Sequence, residues 1–542
     1  EALAWHFERA GDLAAAGRYG RLAGDKARQF FATETAIGYY TRALALLQSA
    51  PGAPDLRTRY DVLSGREECY RLVGQTEAQQ ADLAELEQLA LHLGDPALQA
   101  AVVLRQVAAD LLLGDHESAQ VGAERARELA RQAGDGKLEA DSLFSLGEVY
   151  VSLSDFGEAD GCYTQALERY NDIGDRAGQA ACLRRLGRIA FQTGRLDAAR
   201  DYFAQSLPIY RLMGDRSGEA RALNVLGVVA EDDAQRRSFF EQSLAIAQAI
   251  GDRDTQAAVY NNLTLLYWRL GLYAKARDTG ERAVTISREM QSRQALGELL
   301  ESVGRVYLDL GQYELAHQAL EEGRTIAIDN GDRLMEALYW MMLGRVALAR
   351  GRLADAREQL QVAGDMLRPL GVPGALSTAL AWLGAAHLQR GEWEAANQQT
   401  LEAIEQLEAA GQSYDYPSQD VWWWRYQTLV GEPGRAGSEI DDELWGVLQR
   451  AREVMLASVA TLSDVGMRRN YLNKVAINRD IVAAWTRWAA SRSAEQSIAS
   501  ALDAGDSGDQ VRGKLQRVLD ISLQMNATHD ADQLLDYVID QV

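Results

Sequence analysis

The chain has 542 residues, 47% of them hydrophobic and 25% charged, with only 8 prolines and a formal net charge of −22. An acidic balance of that size would repel a phosphate backbone, whose protein affinity comes from basic residues displacing counterions, so nucleic acid is excluded as an expected partner. Cys69, Cys162 and Cys182 are too few and too scattered for a disulfide framework or a zinc site, and each sits on an apolar helical pattern as a reduced core residue.

No apolar run is expected to cross a membrane and no signal sequence opens the chain, so the expected location is cytoplasmic, with no membrane partner. Abundant Ala, Leu, Arg, Glu and Gln favour helix throughout. The first residue is Glu1 and the last Val542, both inside helical patterns, which suggests a piece of a longer protein.

Residues 1–50 read as short helical hairpins, turning at Gly11-Asp12 and near Thr33, and Pro51-Gly52-Ala53-Pro54 separates them from the repeats. From there to 412 the pattern repeats every 40 residues. Turns within a hairpin are expected at Gly74, Gly114, Ser154, Gly194, Gly271, Gly311, Gly351 and Gly391; turns between hairpins at Gly94, Gly134, Gly174, Gly214, Gly251, Gly331, Gly371 and Gly411. One unit is three residues short, at Glu231-Asp232-Asp233. Self-similarity at this period marks a solenoid, because one hairpin cannot bury its apolar face alone and does so against its neighbours. The predicted fold is therefore all-α, a right-handed α-solenoid of stacked antiparallel helix pairs.

Glycines recur inside the first helix of each pair, at 147, 187, 227, 304, 344 and 384, where each costs about 1 kcal/mol against alanine. Close approach of the second helix is the expected compensation, with Ala159, Ala199, Ala276, Ala316, Ala356 and Ala396 as the matching small surface. Pro208, inside a second helix, predicts a kink.

VGRVYLDLGQYELA at 303–316 resembles the tetratricopeptide repeat in its longer form, and YNNLTLLYWRLGLYAKA at 260–276 looks like the repeats of kinesin light chains. The resemblance runs over about residues 1–410. The opening HFERAGDLAAAGRYGRLAGDKA resembles the point where such arrays leave the ATPase and winged-helix modules of STAND-class signal-transduction ATPases. It implies a bacterial signalling protein with an ATPase upstream and a GAF sensor plus output module downstream.

Beyond 412 the period fails. Residues 413–490, with Trp422-Trp423-Trp424, read as a C-terminal helical cap over the last apolar face, or else as an exposed aromatic docking site. Arg468-Arg469, Tyr471-Leu472 and Asn478-Arg479 resemble the segment that closes such arrays in large bacterial signalling proteins. Residues 491–512 read as a linker, and 513–542 as a signalling helix and the start of a GAF-like domain.

Chemistry is sparse. Gly508-Asp-Gln-Val-Arg-Gly513-Lys514 lacks the Ser or Thr and the preceding strand that a phosphate loop needs, and the six histidines never fall at metal-ligand spacing. Asp232-Asp233 and Asp441-Asp442 read as solvated helix starts. No enzyme, cofactor or metal is expected.

The first helices of a solenoid line a concave groove, and its expected polar lining is Arg184, Arg188, Arg221, Asn224, Asn261, Asn262, Arg305 and Arg345. Asparagine can hold an extended peptide backbone whatever its sequence, and arginine can pair with its carboxylates. The kinesin light chain resemblance implies peptide binding at Asn261 and Asn262 in particular. The same side chains could instead bond between helices. The expected function is a non-catalytic interaction and sensing array that binds a protein or peptide and regulates flanking domains of the same polypeptide. The alternative is a passive scaffold or oligomerisation spacer, with a homo-oligomer as its product.

Overall fold

The computed structural model describes residues 1–30, 32–51, 55–410, 418–434 and 442–503. The chain divides into two compact units, Glu1–Asp215 and Arg216–Val542. Among the described residues every regular element is a helix.

In the first unit, α1 (Ala2–Arg9) precedes α2 (Leu13–Gln29) and α3 (Thr33–Ser49). Helical pairs follow: α4 (Leu56–Val73) with α5 (Thr76–Leu93), α6 (Pro96–Leu113) with α7 (His116–Ala133), α8 (Gly136–Ser152) with α9 (Phe156–Ile173), and α10 (Arg176–Gln192) with α11 (Leu196–Met213). The turns between pairs are made by Gly-Asp dipeptides. Gly134 takes a φ of 66°, open to glycine at no steric cost, and ends α7; Asp135 then accepts hydrogen bonds from the Lys137 and Leu138 amides and starts α8. Gly174 and Asp175 do the same between α9 and α10. Ser154 holds its left-handed turn without being glycine, at φ 61°.

By length and composition α6 could cross a membrane, contrary to the expectation that no run is apolar enough. In the structure α6 contacts α5, α7 and α8, with Val102, Val103 and Val107 buried and Leu112 and Leu113 exposed. Helix α11 continues through Pro208 to Met213.

The helical glycines do hold paired helices close, but against different residues from those expected. A Cβ on Gly147 would lie 2.6 Å from the Tyr163 ring, and one on Gly187 would lie 2.7 Å from the Phe203 ring. The space is thus taken by a large side chain one turn beyond Ala159 or Ala199, both fully buried beneath the contact. Gly147→Ala should lower stability by about 1–3 kcal/mol, because Tyr163 is fully buried and has nowhere to move. Gly161→Ala, on the same helix pair with nothing near its Cβ, should be neutral or raise stability by up to about 1 kcal/mol. Urea midpoints of the two variants check this.

Ion pairs between neighbouring hairpins reflect the period. Arg105 reaches Glu67 at 2.5 Å, Arg185 reaches Glu148 at 2.5 Å, and Lys137 reaches Asp175 at 2.9 Å. Exposed members of this ladder contribute little. Glu67 differs, being 1% exposed and bonded also to Gln79 at 2.8 Å.

In the second unit the pairs continue as α12 (Arg216–Val229) with α13 (Asp233–Ile250), α14 (Arg253–Arg269) with α15 (Tyr273–Glu289), α16 (Arg293–Asp309) with α17 (Tyr313–Asp329), α18 (Arg333–Ala349) with α19 (Leu353–Leu370), and α20 (Pro373–Gln389) with α21 (Trp393–Ala410). Gln291, at φ 56°, makes the turn that the period places between Gly251 and Gly331. Among the described residues four helices lie beyond the period: α22 (Ser418–Val430), α23 (Asp442–Ala460), α24 (Val465–Lys474) and α25 (Ala476–Asp503).

Helix α22 packs on α20 and α21, α23 packs on α22, and α25 packs on α23 and α24. These helices also return onto the array. Leu448, Met455, Leu462, Met467 and Leu472 share one apolar cluster with Val259, Leu263 and Leu266 of α14 and Val306 of α16. Helix α25 extends through Asp503, into the stretch expected to be a linker, and the expected GAF-like segment at 513–542 lies outside the described residues.

Candidate interaction site

The return of the C-terminal helices meets the array at its irregular repeat. Asp232 caps α13, accepting from the Ala234 amide at 2.7 Å and the Gln235 amide at 2.9 Å, and it also accepts from the Ser463 amide at 2.9 Å. The Asp233 amide donates to the Thr461 carbonyl. Asp233 is 1% exposed and pairs with Arg236 at 2.6 Å and with Arg269. The expectation of a solvated acidic helix start is therefore corrected: Asp233 is a buried, doubly paired anion at the seam. Further along, a Cβ on Gly271 would sit 2.7 Å from Lys474 Cβ.

This return decides what the expected groove residues face. In the second unit, Arg305 is buried, bonds Glu301 at 2.6 Å, and lies over the Trp268 ring at 4.7 Å. Arg345 lies over Trp382 at 4.4 Å. Arg305 is buried and Arg345 half-buried, each packed on the aromatic face of a neighbouring first helix. Asn224 and Asn262 bond each other at 2.9 Å across neighbouring first helices, and Arg221 reaches the Ser217 hydroxyl at 2.7 Å. Asn261 lines a cavity of about 220 Å³ with Asp254, Ser292 and Glu298; burial raises the Glu298 carboxyl above its ordinary range.

In the first unit, Arg184 and Arg188 stand one turn apart on α10, both exposed, without a hydrogen bond or ion pair to any described residue. They flank Arg185, which is held by Glu148 of α8.

Trp423 is 8% exposed and stacks on Tyr426, Trp424 meets Trp382 edge-on at 5.1 Å, and Trp422 packs beside Arg450. The three rings lie inside the second unit, between the last repeats and the returning helices.

A second lined space was not foreseen from the sequence. Under the returning helices lies a cavity of about 270 Å³, walled by Trp268, Asp309, Arg345 and Trp382 of the first helices, by Asp420 of α22, and by residues of α23, α24 and α25. The available signal was Asp420 itself, an acid two positions before the tryptophan run.

Family models described as tetratricopeptide repeat match residues 98–172, 158–212 and 235–289, and a second such model matches 304–365. Over these stretches the chain is similar to tetratricopeptide repeats. Comparison with curated proteins gives no match. Among solved structures, the apo form of RapI is similar with a TM-score of 0.53 and 17% identity, over 65% of this chain and 97% of that one. The apo form of the quorum sensor NprR from B. thuringiensis aligns with a TM-score of 0.50 and 11% identity, over 65% of this chain and 98% of that one. A Signal Transduction ATPase with Numerous Domains with a tetratricopeptide repeat sensor, from Pyrococcus horikoshii, aligns at 0.44 and 17% identity, over 81% of this chain and 72% of that one. At such identities the likeness is one of fold, an α-solenoid of helix pairs.

Proposed function

We propose that the protein is a non-catalytic interaction array that binds a polypeptide on the first helices of its repeats and passes the occupancy to flanking signalling modules. The observation that carries this reading is the pair Arg184 and Arg188. Two guanidiniums held one turn apart on a rigid helix, in so acidic a chain, are suited to the carboxylates of an acidic peptide. That NprR, similar in fold, is a quorum sensor is consistent with a sensing array. Coupling to flanking modules requires the bound partner to prefer one packed arrangement of the array over another.

The test is peptide display against the intact chain, followed by titration of a selected acidic peptide. The double variant Arg184→Glu/Arg188→Glu should weaken binding by more than about tenfold, roughly 1.4 kcal/mol or more. It should leave the thermal midpoint unchanged, since neither side chain pairs with a described residue. Retained binding in the variant would refute the assignment to α10.

A further inference from the structure

Helix α6 carries more apolar surface than its own packing uses. It buries Ala100, Val102, Val103, Val107 and Ala109, while Ala108 and Leu112 are exposed, Leu112 at 79%, beside half-buried Leu104 and Leu111. Its two charged residues are engaged, Arg105 with Glu67 and Asp110 with Gln106. An apolar face left over after a unit has packed marks a contact surface.

The 40-residue period puts this face in register with the arginine pair on α10. Leu104, Ala108 and Leu111 of α6 correspond to Phe144, Glu148 and Val151 of α8 and to Arg184, Arg188 and Phe191 of α10, a spacing of four and then three residues that keeps each trio on one side of its helix. Helix α8 packs on both α6 and α10. Arg185 of α10 lies over the Phe144 ring at 6.0 Å and reaches Glu148 at 2.5 Å, and the Ser152 hydroxyl at the end of α8 hydrogen-bonds with the His116 ring at the start of α7 at 3.0 Å.

Charge changes in one direction across the three helices. On α10, Arg184 and Arg188 are exposed and Phe191 is 42% exposed. On α8 the carboxylates are engaged, Glu148 with Arg185 and the Tyr163 hydroxyl, Asp141 with Lys137 and the Tyr170 hydroxyl. On α6 the trio has no polar side chain. Beyond it, Ser64, Glu68 and Arg71 hold the corresponding places on α4 and make the surface polar again. The face is therefore cationic at α10, aliphatic at α6, and bounded.

We infer that the segment bound here is acidic at one end and aliphatic at the other, its carboxylates on Arg184 and Arg188 and its aliphatic side chains on Phe144 and Val151 of α8 and on Leu104, Ala108 and Leu112 of α6. The inference rests on the reading of α10 as a polypeptide site and gives the sequence character of the ligand. Packed helices stand about 8–10 Å apart and an extended chain rises about 3.3 Å per residue, so each helix is crossed by about three residues. Aliphatic residues are thus required about three and six positions from the acidic pair. The carboxylates set orientation and speed association, and burial of the aliphatic groups supplies affinity.

The probe is a labelled peptide with a pair of glutamates and leucines about three and six positions from that pair, serine and glycine filling the rest. Its reversed sequence is run beside it, and the tighter order is carried forward. Titrated into the full chain by fluorescence anisotropy, it should bind at least about tenfold more tightly than the same peptide with serine in place of both leucines. Ala108→Gln/Leu112→Gln, at two exposed positions of α6, should leave the urea midpoint and the affinity of the serine peptide unchanged and bring the leucine peptide down to it. Arg184→Glu/Arg188→Glu should weaken both peptides by more than about tenfold. An arginine-dependent acidic peptide that gains nothing from its leucines, or a leucine advantage that survives in full in the α6 variant, would overturn this inference while the assignment to α10 stands. Binding of neither peptide would remove both.

Discussion

Arg105→Ala is expected to destabilise the first unit by about 3–5 kcal/mol, far more than an ion pair on a helix surface would suggest. The reason lies in its partner. Glu67 is 1% exposed, and its charge is held by Arg105 at 2.5 Å and by the neutral Gln79 amide at 2.8 Å. Removing the guanidinium leaves a buried carboxylate with one neutral donor. It also removes a hydrogen bond to the Ser64 carbonyl, which ties α6 to α4. The double variant Arg105→Ala/Glu67→Leu should recover most of the loss, because the cost is that of an orphaned charge rather than of a missing attraction. Arg125→Ala provides the contrast: it breaks the exposed pair with Glu87 and should scarcely move the urea midpoint.

Leu448→Asp should have an effect of similar size on the second unit. Leu448 is fully buried in the cluster that joins α23 to the first helices of the array. Truncating such a leucine costs about 2–5 kcal/mol by itself, and a carboxylate there must also be desolvated without a partner. The seam has fewer ties than the repeats, chiefly Asp232 to Ser463 and Asp233 to Thr461, so the returning helices should detach while the repeats stay folded. Trp423 and Tyr426, now covered by α23 and α25, would then meet water. The expected readout is a red shift of tryptophan fluorescence with little loss of helical circular dichroism; a single cooperative loss of both would show that the repeats and the return unfold together.

The local features of this fold were legible because each rests on a few adjacent residues. Gly134-Asp135 announces a left-handed stop and a side-chain cap, and the structure has both. The glycines at 147 and 187 announced close helix packing, but their contacts fall on Tyr163 and Phe203, one turn past the expected alanines. Period alone locates a pair of helices and not the rotamer that fills the space between them. The return of α23–α25 was not legible, since it depends on contacts such as Asp232 with Ser463, separated by more than half the second unit. That same long-range contact turned an apparently solvated Asp232-Asp233 into a buried anchor. Arg305 and Arg345, expected on an open groove, lie over the Trp268 and Trp382 rings of neighbouring first helices. The shortened repeat at 231–233 was visible from spacing, whereas its role as the docking point was not.

Everything proposed for the second unit depends on its own C-terminal helices lying on the first helices of its repeats. Amine cross-linking of the monomer tests this most directly, because lysines are few and Lys474 sits against Gly271, four residues before Lys275 and so within about 14 Å of it along the chain. Mass spectrometry should identify an intramolecular Lys275–Lys474 link in the wild-type chain and its loss in Leu448→Asp. A folded wild-type monomer in which both lysines react with the reagent yet never with each other would contradict the account.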